Sequence, residues 1–370
     1  MTGAADTWSG SGLRLEELAP RALEERPGGP AEQWDDLAQR CGSPFLSTAW
    51  LLPWTIAYAG RKARWLVLRD GSGGVCGTGC FLRTAGGGYS AAANVETSHW
   101  DVAAADSATR DEMWTQVAAR AGQRLQLTPL PNGASLESLR RVLPGAGFRV
   151  LERRDAANPR LELPATWNEL LASVSHNLRS QYRRRRGALA RMGMVRLRVT
   201  TGGPELERDL QAFLRLEASG WKGRLGTAVL MDPAGETLYR GFAERAAASG
   251  WLRLALLEVD GRLVAGDLGC TFAGGTFMLK TAYDERLADA SPGLVLRGEA
   301  LRAAIEDGSS FYDFTGSAEP YKLRWGGAVQ PYVDIAAYRG VYAPLSLYHR
   351  DLRPILKAAH GQLAKLLTWR

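Results

Sequence analysis

The chain has 370 residues, of which 45% are hydrophobic, so it is long enough for two domains with cores of their own. It carries 46 Lys and Arg against 39 Asp and Glu, which gives a formal net charge of +7. No apolar run approaches the roughly 18 residues of a membrane-spanning helix, and the first residues lack the order of a signal peptide. We therefore expect a cytoplasmic protein without integral membrane contact.

The cysteine pattern excludes two further classes. The four cysteines do not fit a disulfide framework in a chain of this size, and none lies at a spacing from other cysteines or histidines that is typical of zinc. We predict reduced thiols and no metal. Walker A, G-x-S-x-G and G-x-G-x-x-G patterns are also missing from the sequence, which argues against kinase, hydrolase and dehydrogenase activities.

The first half of the chain predicts a run of strands followed by a helix. The segment RWLVLRDGSGGVCGTGCFLRTAGGGYSAA begins at Arg64 and alternates strand-like runs with an Asp70-Gly71 turn and a Gly-rich turn. A helical run from Ser107 to Ala121 and the strand RLQLTPL follow.

The second half predicts the same order of elements. The strands WLRLALLEV, RLVAGDLGCTFA and TFMLKTAYD are joined by turn signals at Asp260-Gly261 and Gly274-Gly275. A helix over 294–307 and the strand FYDF come next, and Gly79-Cys80 and Gly269-Cys270 occupy matching places in the two middle strands. This repetition predicts a tandem duplication.

Two helices are predicted between the copies, with a domain boundary near residues 155–165. Thr166 and Glu169 form a capping box for the first helix. The second carries an apolar stripe, namely Leu178, Tyr182, Leu189 and Met192. We therefore predict an N-terminal domain over 1–160, a C-terminal domain over 161–340 and a helical tail over 341–370, with an amphipathic run from Leu345 to Leu367.

The second of these helices is strongly basic. There is no acidic residue from Leu170 to Pro204, and the segment contains eight arginines: Arg179, Arg183, Arg184, Arg185, Arg186, Arg191, Arg196 and Arg198. Three interpretations stay open, namely a solvated helix face, a site for an anionic substrate or donor, and a nucleic-acid contact.

The helix that begins at Ser291-Pro292-Gly293 has a start suited to anion binding. Pro at the first position and Gly308 after the last are favoured at the two ends of a helix. The first N–H groups of a helix lack partners within it and attract phosphate or carboxylate. The alternative is that Pro-Gly only turns the chain.

An ordered series of motifs resembles a known family. Tyr283-Asp284, Ser291-Pro292-Gly293, Asp313-Phe314-x-Gly316 and Tyr321-Lys322-x-x-Trp325-Gly326 resemble the acetyltransferase domain of the CelD-like branch of the GNAT superfamily, which is also similar to the FemAB aminoacyltransferases. The resemblance runs from about Trp34 to Ile335. It implies an α/β fold of two tandem GNAT-like domains, each a mixed, mainly antiparallel sheet flanked by helices. It also implies transfer of an acyl or aminoacyl group to an amine, with the active site in the C-terminal half.

One loop departs from the family pattern. The run from Arg286 to Ser291 lacks both glycines of the usual Q/R-x-x-G-x-G/A loop. The pyrophosphate cradle would then be reduced to the helix turn, with Ser291, Gly293, Leu294 and Val295 as the binding residues. The expected donor is acyl-CoA, or aminoacyl-tRNA as in the FemAB group.

Amide formation needs a base, a donor to the carbonyl oxygen and a proton for the leaving group. Asp284 and Asp313 are the base candidates, each with the alternative of a capping or turn residue. Tyr283 is a candidate proton donor or a packing residue. Backbone N–H groups near Asp267 and Gly269 would polarise the carbonyl. By its match to the FemAB Phe/Tyr-Lys motif, Lys322 would face the acceptor or the donor phosphates; otherwise it is a surface lysine.

The remaining candidates would bind substrate. Trp221 and Lys222 lie in a Gly-rich stretch that could close over substrate or be a plain connection. Glu217 is a second base candidate on the preceding helix, Tyr321 adjoins Lys322, and Arg183 represents the basic helix. The acceptor would be a small-molecule amine, with tRNA as a possible partner. Three functions are therefore open: an acyl-CoA-dependent N-acyltransferase, an aminoacyl-tRNA-dependent aminoacyltransferase and a non-catalytic binding scaffold.

Overall fold

The computed structural model describes residues 12–24 and 29–344, without the side chains of 154–157. Its strands, in chain order, are β1 (Arg14–Leu18), β2 (Ala63–Arg69), β3 (Val75–Arg83), β4 (Tyr89–Ala91), β5 (Ala103–Ala104), β6 (Arg124–Pro131), β7 (Arg149–Glu162), β8 (Val195–Thr200), β9 (Leu252–Val259), β10 (Arg262–Phe272), β11 (Gly275–Tyr283), β12 (Phe311–Asp313) and β13 (Ala328–Tyr338). Its α-helices are α1 (Pro30–Cys41), α2 (Thr48–Tyr58), α3 (Ser107–Arg120), α4 (Ala134–Gly145), α5 (Trp167–Ser173), α6 (His176–Ala190), α7 (Leu206–Ser219), α8 (Trp221–Arg224), α9 (Pro233–Ala248), α10 (Pro292–Glu306) and α11 (Pro320–Leu323).

These residues form two compact units that are interleaved in sequence. Within the described ranges, the first unit contains residues up to 37, 61–155 and 331 onward, and the second contains 38–60 and 156–330. The predicted domains, 1–160 and 161–340, are contiguous and so differ from these units. The difference arises because α2 contacts α9 and because β13 pairs with β6. Of the predicted tail, residues 345–370 and the amphipathic run lie outside the described residues.

The first unit has a mainly antiparallel sheet with strand order β1-β2-β3-β4-β6-β13, and β5 pairs with β3. The one parallel pair among these strands joins β4 to β6. Trp100, Trp114 and Phe81 pack edge to face in a core between this sheet and helices α3 and α4. Aromatic pairs of this geometry add stability beyond the area they bury.

The second unit repeats this plan with strand order β7-β12-β11-β10-β9-β8. Its parallel pair joins β11 to β12. Tight turns connect β9 to β10 and β10 to β11; Asp260-Gly261 and Ala273-Gly274 have positive φ at both positions, as two-residue hairpin turns of type I′ require. Helix α7 contacts β9, β10 and β11, and α10 also packs on this sheet.

Helix α10 packs closely against α6 through a glycine. A Cβ built on Gly298 would lie 2.2 Å from a ring carbon of Tyr182, so any side chain here would force the helices apart. Tyr182 is buried and its hydroxyl donates to Glu299 at 2.8 Å. This contact fixes the basic helix on the second unit.

Most predicted elements are confirmed, including α3, α10, both hairpin turns and the Thr166–Glu169 capping box. The second turn differs by one residue, because Gly275 already belongs to β11. Met192 was wrongly assigned to the buried stripe of α6: the helix ends at Ala190 and Met192 is exposed. All four cysteines are free thiols. Among the described residues, no helix is long and apolar enough to cross a membrane.

Candidate active site

The site begins where the parallel pair of the second unit ends. Pairing of β11 with β12 stops at Phe277 opposite Asp313, so β11 continues from Met278 to Tyr283 without β12 beside it. Thr315 has a left-handed φ of 46° and its hydroxyl donates to the Met278 carbonyl. The chain after β12 is thereby fastened to β11 at the start of the diverging segment.

Asp313 lies at this end of β12 and is 3% exposed. The side-chain amide of Asn158 donates to both carboxylate oxygens at 2.8 Å, and the Thr315 N–H donates at 2.8 Å. Burial raises the pKa of Asp313 to about 6, although these hydrogen bonds and the charges of Arg160 and Lys322 act in the opposite direction. A carboxyl group of this kind can change protonation state near neutral pH, as a general base must.

Lys322 is buried, which contradicts the surface alternative. Its Nζ donates to the carbonyls of Thr315 at 2.7 Å and Ser317 at 3.0 Å, and it pairs with a Glu319 oxygen at 2.7 Å. Burial lowers the pKa of Lys322, while the Glu319 carboxylate opposes this shift. Two hydrogen bonds and an ion pair of the ammonium group thus hold the loop that follows Asp313.

A buried ion pair lies on the other face of the sheet. Arg297 of α10 donates to both oxygens of Asp267 on β10, at 2.7 and 3.1 Å, and to the Tyr312 hydroxyl at 2.6 Å. Since side chains alternate along a strand, Asp313 projects from the face opposite Tyr312 and α10. Breaking a buried pair of this kind usually costs several kcal/mol, because one charge is left without its partner.

The predicted carbonyl donors, which are backbone N–H groups near Asp267 and Gly269, stay a prediction. Both residues lie inside β10, which pairs with β9 on one side and with β11 on the other. Backbone groups of a strand paired on both sides are used by the sheet, except where the β10–β11 register shifts between Leu268 and Gly269. Divergence occurs at β11 instead, because that strand loses the neighbouring β12.

At the start of α10, one backbone N–H group is available to bind an anion, instead of the three of Gly293, Leu294 and Val295. Leu294 and Val295 donate to the Ser291 carbonyl at 3.0 and 3.3 Å, and Pro292 has no N–H. Among the described residues the Gly293 N–H has no acceptor, and the Ser291 side chain does not cap the helix. The Tyr283 ring lies against Gly293, where an added Cβ would be 3.3 Å from it. The helix dipole and the Gly293 amide still favour an anion here.

The Asp284 carboxylate is held by arginine side chains and has a structural role. Its carboxylate accepts from Arg262 at 2.6 Å and from the side chain and N–H of Arg286 at 2.9 to 3.1 Å. These bonds, with the side chain of Arg286 first, lower the pKa of Asp284 despite its burial. A carboxylate held in this way is a poor base, and it caps the 3-10 helix at Glu285–Ala290.

Glu217 and Lys222 form a pair beneath the exposed Trp221. Lys222 Nζ donates to Glu217 at 2.7 Å and to the Thr281 carbonyl of β11 at 3.0 Å, while the second Glu217 oxygen accepts from Val229 N–H at 2.9 Å. Glu285 accepts from Trp221 N–H and from Arg224, each at 2.7 Å. Glu217 is thus fully paired, whereas the Trp221 ring is presented to solvent beside the diverging part of β11.

The last two candidates are Tyr321 and Arg183. Tyr321 is partly exposed and is close enough to Arg297 and Asp267 for their charges to act on its hydroxyl. Arg183 is exposed on α6. The structure thus gathers Asp313, Lys322 and Tyr321 at the end of β12, and Tyr283, Ser291 and Gly293 at the far end of β11.

Sequence reasoning missed Asn158 and Arg297. Asn158 lies in β7, far from any motif, and only its pairing with Asp313 reveals it. Arg297 had a detectable signal, since it is a charged residue within the otherwise apolar helix α10. Among the described residues, no three His, Cys, Asp or Glu side chains are grouped so as to hold a metal ion.

Comparison with known proteins shows which folds this chain resembles and which family model matches part of it. FemX matches 88% of this chain and 99% of its own with a TM-score of 0.60 at 14% identity. The C-terminal DUF2156 domain of a putative lysylphosphatidylglycerol synthetase from Agrobacterium fabrum matches 86% of this chain and 93% of its own, with a TM-score of 0.55 at 14% identity. L-PGS from Bacillus licheniformis matches 87% and 96%, with a TM-score of 0.52 at 11% identity. At such identities these likenesses show the fold alone.

The chain thus has the tandem GNAT-like fold that it shares with FemX. Residues 176–323, which include α10, Asp313 and Lys322, match the family model described as the acetyltransferase (GNAT) domain. This part of the chain is therefore similar to an acetyltransferase (GNAT) domain. No curated protein matches the chain.

Proposed function

We propose that the chain is an N-acyltransferase that moves an acyl group from acyl-CoA to a small-molecule amine. The family match supports acyl transfer, and the environment of Asp313 is the observation that carries the proposal. Of Asp313 and Asp284, only Asp313 has a pKa raised towards neutrality, whereas two arginines hold Asp284 ionised.

The geometry of β11 supports an extended donor. Five residue steps separate Met278 from Tyr283, which is about 17 Å along a strand at about 3.3 Å per residue. An arm with amide groups can pair with a strand edge as another strand would, here through backbone groups other than the Met278 and Thr281 carbonyls, which accept from Thr315 and Lys222. In this arrangement the pyrophosphate lies at Gly293 and the thioester lies near Asp313.

The reaction follows from this arrangement. The ammonium of the acceptor gives one proton to Asp313, and the resulting amine attacks the thioester carbonyl. A C–N bond forms and the C–S bond breaks. The second proton lost by nitrogen goes to the thiolate, so atoms and charge balance. Tyr283, at the far end of β11, then flanks the phosphate end rather than protonating the leaving group.

Lys322 supports this chemistry through its position. Its ammonium holds the Thr315 and Ser317 carbonyls in place and favours the ionised form of Asp313. Trp221 and Tyr321 offer exposed aromatic surfaces for the acceptor, with the paired Glu217 and Lys222 fixing the Trp221 turn. Asn158 orients the Asp313 carboxylate.

An aminoacyl-tRNA donor is the second candidate. It is favoured by the exposed Arg183. It is also favoured by the first turn of α10, where one backbone amide instead of three is available for pyrophosphate. Aminoacyl transfer would use the same Asp313 chemistry with an alcohol as the leaving group. A non-catalytic scaffold is the third, favoured by the burial of Lys322 and its hydrogen bonds to carbonyls of its own loop. A cytoplasmic location stays a prediction.

The experiment is a donor screen followed by turnover. A donor that binds only the folded state at about 100 times its Kd stabilises it by about 2.7 kcal/mol, which a thermal shift detects. We expect acyl-CoA, and not charged tRNA, to raise Tm, and mass spectrometry to detect an amide product. Asp313→Ala should lower turnover about 100-fold.

Asp284→Asn is the matched control, because it changes a carboxylate of the same domain that is held by arginines. We expect lower stability but turnover within a few-fold. Stabilisation by tRNA alone would favour the second candidate. Donor binding with no amide product from a broad set of amines would favour the scaffold.

A further inference from the structure

The solvent-facing side of α6 and the turn after it form a surface that the proposed chemistry does not use. At 3.6 residues per turn, positions 183, 184 and 191 share one face of the helix, opposite the buried Leu178, Tyr182 and Leu189. Arg183, Arg184 and Arg191 are exposed there, and none has an ion-pair partner in the described part of the chain. We call these arginines, with Met192 and Met194, the basic face.

The two methionines are unusual because they are exposed in a well-held turn. Met192 is 51% and Met194 71% exposed. Met194 N–H donates to the Asp260 carboxylate at 2.7 Å, and Asp260 N–H donates to the Met194 carbonyl at 3.1 Å. A Cβ on Gly193 would lie 2.2 Å from the Asp260 carboxylate, so only glycine allows this close approach. The turn therefore presents two long apolar side chains in a fixed place beside three arginines.

The neighbouring charges leave the basic face positive. Arg185 donates to the Asp289 carbonyl and Arg186 pairs with Glu299 at 2.6 Å, so these two arginines are directed to α10 and the turn before it. Asp260 accepts from the Met194 N–H and keeps its negative charge, so the three arginines outnumber this one carboxylate at the turn. The segment 170–204 contains no acidic residue that could offset the three free guanidinium groups.

We propose that the basic face docks the protein on an anionic phospholipid surface. Arginines near such a surface are attracted to the lipid headgroups, and apolar side chains beside them insert at the boundary with the acyl chains. A nucleic acid is less well matched: single strands are held by exposed aromatic rings between the cations, and the aromatic residue of this helix, Tyr182, is buried. Methionine inserts into hydrocarbon but does not stack on bases as an aromatic ring does.

The test is co-sedimentation of the full chain with vesicles at about 0.1 M salt. We expect binding to phosphatidylglycerol–phosphatidylcholine vesicles and little binding to phosphatidylcholine alone. Each arginine near an anionic surface contributes about a fivefold gain in partitioning, so Arg183→Ala/Arg184→Ala should weaken binding about 25-fold. Met192→Ser/Met194→Ser should weaken it about tenfold without changing the charge.

Two matched controls separate this surface from general effects. Arg61→Ala/Lys62→Ala removes two exposed cations of the first unit, and Met231→Ser replaces an exposed methionine elsewhere in the second. Both should bind as the wild type does, and unfolding curves should show all variants folded. Equal binding to neutral vesicles, or unchanged binding by the methionine variant, would overturn the proposal. So would tighter binding to tRNA than to the vesicles that is lost in the arginine variant. None of these results depends on catalysis, so they test docking separately from acyl transfer.

Discussion

Helix α3 of the first unit and helix α10 of the second occupy equivalent places after three antiparallel strands, but their first turns differ in charge. The Asp106 carboxylate caps α3 by accepting from Thr109 N–H at 2.7 Å, and this bond is the main reason that the pKa of Asp106 is lowered. At α10, Ser291 leaves the first turn without a side-chain cap, and Gly293 keeps its amide available. An anion is thus already present at one helix start and can be accepted at the other.

The strands beside these two helices also differ in whether their ends are already bonded within the unit. In the first unit, the chain after β4 returns to β6: Trp100 N–H donates to the Pro129 carbonyl at 2.7 Å, and its indole donates to Cys80 at 2.9 Å. Trp100 is 1% exposed and belongs to the core. In the second unit, β11 diverges from β12 after Phe277. The hydrogen bond from the Thr315 hydroxyl to β11 lies only at the start of the diverging segment.

One plan therefore serves two purposes. The first unit uses its helix start and the strand end beside it for its own stability. The second unit leaves the corresponding helix start and strand end available to a ligand. Each unit nevertheless has, among its described residues, an aspartate whose pKa is raised to about 6 by desolvation, namely the half-buried Asp101 and the buried Asp313. If the second unit alone is catalytic, changing these two groups should have different consequences.

The largest expected effect is on the pH dependence of turnover. Because Asp313 must be ionised to accept a proton, turnover should fall about tenfold per pH unit below about pH 6. Asp101→Asn should leave this profile unchanged. Initial rates of both proteins from pH 5 to 8, with a saturating donor, check this. An acid limb that moves in Asp101→Asn would place the titrating group in the first unit.

Stability should respond to both aspartates. A carboxyl whose pKa is raised in the folded state binds its proton more tightly there than in the unfolded chain, so its contribution to the free energy of unfolding falls as pH rises from about 4 to about 6. Asp313→Asn and Asp101→Asn should each remove part of this slope. Urea denaturation at several pH values measures it; slopes that match the wild type in both variants would contradict the assigned pKa values.

An intermediate effect is expected at the helix starts. Gly293→Val places a branched side chain where the donor must approach and against the Tyr283 ring, so donor affinity should fall about tenfold while the fold is kept. Ala108→Val changes the equivalent, exposed position of α3 and is the matched control. Calorimetric titration with the donor compares the two. Equal affinities in all three proteins would remove Gly293 from the donor site.

The smallest effects should come from exchanging the caps. Ser291→Asp adds a carboxylate beside the expected phosphate and should weaken donor binding several-fold, whereas Asp106→Ser keeps a good capping residue and should change stability by less than about 0.5 kcal/mol. The same titrations and melting curves measure both. Stronger donor binding by Ser291→Asp would show that the helix start does not receive an anion.

The sequence by itself determined the local structure and the repeat. Capping residues, hairpin turns and apolar periodicity depend on neighbours in the chain, so the capping box at Thr166, the Asp260-Gly261 turn and the limits of α10 were predictable. The ordered motifs from Tyr283 to Trp325 also indicated the family, since they occur within one contiguous domain.

The tertiary structure alone decided which candidates have suitable chemistry. Asp284 and Asp313 look equivalent in sequence, but their pKa shifts have opposite signs because Arg262 and Arg286 surround one, while burial beside Asn158 dominates the other. Lys322 is enclosed by carbonyls of its own loop, and Leu294 and Val295 donate to Ser291. Electrostatic environment and hydrogen-bond partners arise from residues far apart in the chain, and no local pattern records them.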